Sequence, residues 1–386
     1  MTSSEPAGST EHPVGTWRSR AILAACLLVL LGLFFVPAVA PALLRLEHWA
    51  ADWRTAFLSD RLPSAHPHIA IVAITDETIG AYPYILPPDR GLLADIVTAA
   101  DRAGARAIGL DFYFTKPTEK DKDDKLVAAL QHAKDKLVLG VFEGRLRTKQ
   151  LEYQDDFLKR VGARVGYLNL QPERDYVVRY RAQPSPGARY RHSFSSLVAQ
   201  TPGRQSGPAH DRIAWLLPPA DGGRTFVRIE AHKLLDGTPG VADRLNGRVV
   251  LIGGEILSLD RHWTPLSLVT GSGMTGIEVH AHMAAELIDG NRSYSELGGL
   301  QARIFLVLLA ALGVLLGLRF QQRGWDFLDW RVVSLGVIGV DLALFKFMHL
   351  ILPFTLAAVA WIAGVTIGRQ LRQDVVWSRI WKRGET

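Results

Sequence analysis

Five carboxylates, Asp76, Glu77, Asp111, Glu143 and Glu255, stand near the carboxyl ends of short apolar runs within 69–74, 106–114, 136–142 and 247–255. Such a run reads as a buried strand. Where parallel strands end together, their carboxyl ends line the crevice in which open α/β sheets bind ligands. Acids gathered there suit a cation or a basic ligand. The same residues can instead cap helices or pair with arginines such as Arg90 and Arg106, so two roles stand open.

A second group, Asp260, His262, His280 and His282, offers the imidazole and carboxylate donors that zinc and copper accept. His280 and His282 are two apart on an expected helix and so point to different faces. That favours separate surface or capping roles, with His280 anchoring the loop after Thr264-Pro265. Gly271-Ser-Gly-Met-Thr-Gly276 has the letters of the dinucleotide fingerprint. It follows no strand directly, and its glycines suit a turn before a helix. No Gly-x-Ser-x-Gly elbow, His-Glu-x-x-His zinc helix or phosphate-binding loop occurs in the sequence. The expectation is a chain that is not an enzyme and has no cofactor. Its enzyme alternative is a metal-dependent envelope hydrolase in which Asp76 and Asp111 hold a metal that activates water.

The elements that must position these groups alternate. A strand at 69–74 is followed by a helix that Asp89 caps and that runs to Ala103, with Leu92, Leu93, Ile96 and Val97 at helical spacing and Gly104 as its stop. A strand at 106–114, a helix through 119–133, strands at 136–142, 164–170 and 176–181, and a short helix at 193–200 follow. The stretch 247–291 reads as strand, long loop and helix. Parallel strands need helical crossovers, so the spacing predicts an α/β domain with a mostly parallel sheet.

Composition places this domain outside a membrane. The 386 residues are 48% apolar and 21% charged, and the apolar excess is confined to 21–44 and 302–368. Between them lies enough ordinary globular sequence for one sizeable core. The net charge of +6 comes from basic residues beside the apolar runs, not from a stripe with interleaved aromatics, which speaks for membrane lipid and against nucleic acid. The single cysteine, Cys26, falls within the first run, so the domain has neither disulfide nor thiolate metal site.

Four α-helical transmembrane spans are expected, one before the domain and three after. Residues 1–20 form a disordered cytoplasmic leader and 21–44 a first span. Ala38-Val39-Ala40 has the form of a signal-cleavage site, but apolarity continuing through Leu44 favours a retained anchor, and both readings export the domain at 45–301. Spans at 302–320, 332–348 and 350–368 follow, with Arg319, Arg323 and Arg331 inside and a turn near His349 to Pro353. The basic tail 369–386, with Trp377 and Trp381, is expected to lie on the inner leaflet. Asp341 stands within a span, where an ionisable group costs about 3 kcal/mol. It needs a partner, either to couple helices during signalling or only to fix their packing, while Lys346 snorkels outward.

Several landmarks resemble one family: Val72-Ala-Ile-Thr-Asp-Glu77, Gly104-Ala-Arg-Ala-Ile-Gly-Leu-Asp-Phe-Tyr-Phe114, Val250-Leu-Ile-Gly253, Asp260 with Thr264-Pro265, and Gly276-Ile-Glu-Val-His-Ala281. In this order, followed by three spans, they resemble the CHASE type 2 family, the cyclase and histidine-kinase associated sensory extracellular domains of bacteria. The chain departs from that pattern at Asp76-Glu77-Thr78-Ile79 and Tyr82-Pro83-Tyr84. The resemblance implies a sensory domain on the outer side of a bacterial inner membrane that signals inward through its helices. It implies no catalytic residue and no named ligand. Family members commonly carry an output domain after the last span, so the expected partner is a separate membrane or cytoplasmic signalling protein, with a homodimer as the usual assembly. The alternative is a structural subunit of a membrane complex.

Overall fold

A computed structural model describes residues 41–184, 186–199, 212–256, 259–290, 294–319 and 326–384, with single positions between 21 and 32. The chain divides into two compact units, 52–295 and the pair of segments 1–51 and 296–386.

In the first unit, six strands form one sheet: β1 (Ile69–Thr75), β2 (Ala107–Leu110), β3 (Leu137–Val141), β4 (Arg164–Tyr167), β5 (Val227–Glu230) and β6 (Val249–Glu255). Their order is β4-β3-β2-β6-β1-β5 and every pairing is parallel, as the alternation of strand and helix predicts. The strands are apolar on both faces because both faces are covered. On one, Val72, Ile74, Ile108, Leu139 and Ile252 pack with Leu93, Leu126 and Phe157 from the helices α3 (Arg90–Arg102), α4 (Lys120–His132) and α5 (Thr148–Val161). On the other, Ile71, Ala73, Val138 and Leu251 meet Phe194 of α6 (Phe194–Val198) and Ile277 and Ala281 of α9 (Gly276–Ile288). The remaining helices are α1 (Pro41–Leu58), α2 (Asp76–Ile79), α7 (Ala231–Leu235) and α8 (Ser267–Thr270).

Local chemistry sets the joints. Asp89 caps α3 by accepting from the Leu92 backbone N–H at 3.1 Å, and Gly104 leaves the helix at a φ of 77°, which an L side chain rarely adopts. Gly166 lets α6 lie directly on β4, since a Cβ there would stand 2.6 Å from the Phe194 backbone.

Three segments differ from expectation. Residues 176–181 are no strand: Tyr176 has a φ of 65°, and the segment makes only isolated bridges, Val177 with Trp263 and Tyr180 with Arg212. The strand at the β1 edge is β5 instead, a four-residue piece whose Val-Arg-Ile-Glu alternates. Helix α5, rich in charge and buried only along Gln154, Phe157 and Val161, also has too thin an apolar stripe to stand out in the sequence.

The second unit contains α10 (Gly299–Arg319), α11 (Asp326–Met348) and α12 (Phe354–Gly384). Among the described residues, two helical stretches, Gly299–Leu318 and Phe354–Arg372, are long and apolar enough to cross a membrane, against the four spans expected of the whole chain. The segment 332–348 is helical, within α11, but that helix carries Asp326, Asp329, Arg331, Asp341 and Lys346. The expected leader and the span 21–44 fall largely outside the described residues. The break at 349–353 is present, with His349 at a φ of 52°, whereas the last span and the tail are one continuous helix. Helices α10 and α12 cross through Gly313 and Gly317 on one and Gly364 and Gly368 on the other. A Cβ at any of the four would run into the facing backbone.

Candidate functional site

Because all six strands are parallel, their carboxyl ends share one rim. Register places Thr75 beside Glu255 and Ala73 beside both Glu230 and Gly253. The Asp111 N–H donates to Ile252 O at 2.8 Å, which fixes Asp111 next to β6. Asp76 opens α2 after Thr75, whose Oγ1 accepts from the Thr78 N–H. Glu143 follows β3, and its Oε1 accepts from the Arg189 N–H at 3.0 Å, tying down the 189 loop.

The rim has two charged clusters. In the first, the half-buried Asp111 faces Asp260. Burial, and after it the charge of Asp260, pushes the Asp111 carboxyl up to about 8. Burial acts upward on Asp260 too, but the His262 hydrogen bond at 2.8 Å, the His262 charge and the Gly276 N–H at 3.1 Å outweigh it and hold that carboxyl below its ordinary value. Two neighbouring acids are therefore held in opposite states near neutral pH, one protonated and one ionised.

In the second cluster, Glu255 accepts from Arg228 Nε, and Arg228 Nη1 reaches Glu230 at 3.4 Å. Lys233 Nζ lies 2.7 Å from Glu230 Oε2, and His232 Nε2 lies between Glu230 and Glu77. Glu278, in the first turn of α9, is raised by burial and then by the Glu255 charge. The rim thus gathers Asp111, Glu255 and Glu77, with Asp76 at the adjoining helix start, and leaves Glu143 engaged with its own loop. Arg228, Glu230 and His232 escaped the sequence reading. Their signal was the short alternation Val-Arg-Ile-Glu, which ends in an acid as β6 does.

Asp260 and His262 are brought together, but His280 and His282 are turned away from them into the core. His280 Nε2 donates to Leu168 O at 3.2 Å and its Nδ1 accepts from Ser195 Oγ at 2.9 Å, so it braces α6 and the end of β4, not the loop after Pro265. His282 Nδ1 accepts from the Leu216 N–H at 3.2 Å between the rings of Trp215 and Phe226. Burial pushes the two imidazoles down to about 4 and about 3, and both stay neutral. Both are thus core groups, not the surface or capping residues expected. The fingerprint letters at 271–276 form a helix end and a short strand: Gly271 ends α8 at a φ of 66°, Met274–Thr275 pairs with Arg261–His262, and Gly276 packs on the Asp260 carboxylate.

A model of the CHASE2 domain matches residues 24–331. The chain belongs to the CHASE2 family. No curated protein and no solved structure matches it. CHASE2 domains are extracellular sensory domains, and two helices apolar enough to cross a membrane accord with a membrane protein that carries one outside.

Away from the rim, this CHASE2 domain has an ionic network around the buried Arg179. Its Nε and Nη2 donate to Asp52 of α1 at 2.8 and 2.6 Å, its Nη1 to Glu173 at 2.6 Å, and its Nη2 to Asp175 at 2.7 Å. Arg212 reaches Asp52 at 3.3 Å, and Arg181 reaches Glu286 at 3.3 Å. This network explains why 176–181 is irregular: its arginines turn inward to carboxylates instead of alternating across a sheet. In the other unit, Asp341 is buried in the wall of a cavity of about 930 Å³ lined by Phe305, Leu309, Val337 and Trp361.

Proposed function

We propose that this chain is a membrane-anchored sensor. Its CHASE2 domain binds a ligand at the acidic rim, and its membrane helices pass the bound state to a separate membrane or cytoplasmic protein. The topology proposed is multi-pass, with four spans in a bacterial inner membrane and the large domain outside. Asp341 is proposed as the polar contact through which helices couple, with a homodimer as the assembly.

The observation that carries this reading is helix α1. Its Asp52 is gripped by Arg179 and Arg212 within the sensory unit. Its Glu47, five residues earlier, accepts from the Thr355 and Leu356 backbone N–H groups at 2.8 and 3.3 Å, capping α12 within the other unit. A helix that carries one charged contact in each unit suits transmission better than catalysis.

The test is purification of the full chain from native membranes in mild detergent, with quantitative mass spectrometry of what is retained. A partner in fixed ratio, released by Arg179→Met, is expected. A chain that comes down alone, with and without the substitution, would overturn the reading.

A further inference from the structure

The edge of the rim holds a set of metal-ligating donors drawn from three separate elements. Glu77 comes from α2, Glu230 from the last position of β5 and His232 from α7, and one donor atom of each lies within 4.8 Å of the others. The parallel pairing of β1 with β5 is what unites them.

The imidazole is oriented. His232 Nδ1 lies 3.3 Å from Thr78 Oγ1, which is itself 3.1 Å from Thr75 Oγ1. With its Nδ1–H donated to Thr78, the ring turns an Nε2 lone pair toward Glu230 Oε2 at 3.6 Å and Glu77 Oε1 at 3.7 Å. Three acceptors then face one another, too far apart for hydrogen bonds. Donors about 2.0–2.2 Å from a tetrahedral metal stand roughly 3.3–3.6 Å from one another, so the two His232 contacts are already near that spacing, and the two carboxylates, within 4.8 Å of each other, close the set by moving together. A hydroxyl on the second ring nitrogen is the support that metal-bound histidines use.

Resting on the reading of the rim as the sensory face, we propose that Glu77, Glu230 and His232 bind a divalent first-row metal, with Zn²⁺ as the type. One nitrogen and two oxygens suit such an ion. Three donors are too few for calcium, and the site has no thiolate to select a softer metal. A fourth position remains for water or a ligand. Lys233, half exposed with its Nζ on Glu230 Oε2, is the competitor that the ion displaces. Metal arrival therefore redistributes charge beside Arg228 and Glu255, the pair that joins β5 to β6.

The test uses the full chain in detergent, stripped with a chelator. Zn²⁺ binding is followed by calorimetry, and Co²⁺ binding by the visible bands of a four-coordinate site. One ion per chain is expected. Affinity should fall at least about 100-fold in His232→Ala and Glu230→Gln and about 10–100-fold in Thr78→Val. It should rise in Lys233→Met and hold in His262→Ala, while thermal unfolding confirms that each variant is folded. No saturable binding, wild-type affinity in the first two variants, or loss in His262→Ala would each overturn the site. A chain that binds no Zn²⁺ yet retains its partner in fixed ratio loses the metal and keeps the sensor.

Discussion

Arg179 and Arg228 are two arginines with the same kind of neighbours and different fates. Each lies between carboxylates drawn from separate segments. The Arg179 side chain is 2% exposed and its Asp52 partner 6%, whereas Arg228 and Glu255 are 16% and 22% exposed. In the first network the Arg179–Asp52 pair is buried, while Glu173 and Asp175 at its edge are 28% and 39% exposed. The second opens onto the rim beside His232 and Lys233. What separates the two pairs is not residue type but access: water reaches Arg228 and Glu255 and is kept from Arg179 and Asp52.

The largest expected effect lies in the Arg179 network. Arg179→Met takes from the buried Asp52 its nearer cation, leaving Arg212 at 3.3 Å, and should cost about 3–5 kcal/mol. Thermal and denaturant unfolding of the full chain in detergent would show it, and a loss below about 1 kcal/mol would erase the contrast between the two networks.

Next comes the pH response of the rim. The Asp111 carboxyl has an ordinary value of 3.8 and is held at about 8 in the fold. The folded chain therefore keeps a proton that the unfolded chain gives up. This contribution to stability is whole below about pH 4 and fades as pH rises to about 8, with a slope of at most about 1.4 kcal/mol per pH unit. Asp111→Asn should flatten stability over that window. Parallel profiles for the two proteins would show that Asp111 is not the buried acid described.

A smaller effect is expected at Gly166→Ala, where the new methyl meets the Phe194 backbone and should cost about 1–3 kcal/mol. Unfolding midpoints measure it, and an unchanged midpoint would mean that α6 moves freely off β4. The smallest belongs to the open network: Arg228→Gln should shift stability by no more than about 1 kcal/mol. Its readout is Zn²⁺ affinity, which should change while the unfolding curve stays in place.

The parts of this fold visible in the sequence were those decided by neighbours along the chain. The continuous apolar runs of β1 and β6, the Asp89 cap and the Gly104 stop each follow from a few adjacent residues, and so does the placement of Asp76, Asp111 and Glu255 at strand ends. What stayed hidden was decided by partners far off in sequence. Nothing local shows that β5 lies against β1, so nothing local could place Glu230 and His232 beside Glu77. The arginines of 176–181 alternate like a strand, and only the distant Asp52 and Glu286 explain why they turn inward. His280 and His282 look like ligands until Leu168 and Leu216 are seen to occupy them.

The strand order sets a constraint on how the domain is made. β6, which pairs with both β1 and β2, is the last strand of the sheet to leave the ribosome. Until it arrives, the β1–β5 pair and the β2–β4 group are separate pieces with bare edges, the state most open to wrong pairing. The sheet is completed by insertion at its centre and not by growth at its margin. Any nascent chain that stalls before Val249 therefore holds two unjoined half-sheets, and the commitment to a finished domain is made within the seven residues Val249–Glu255.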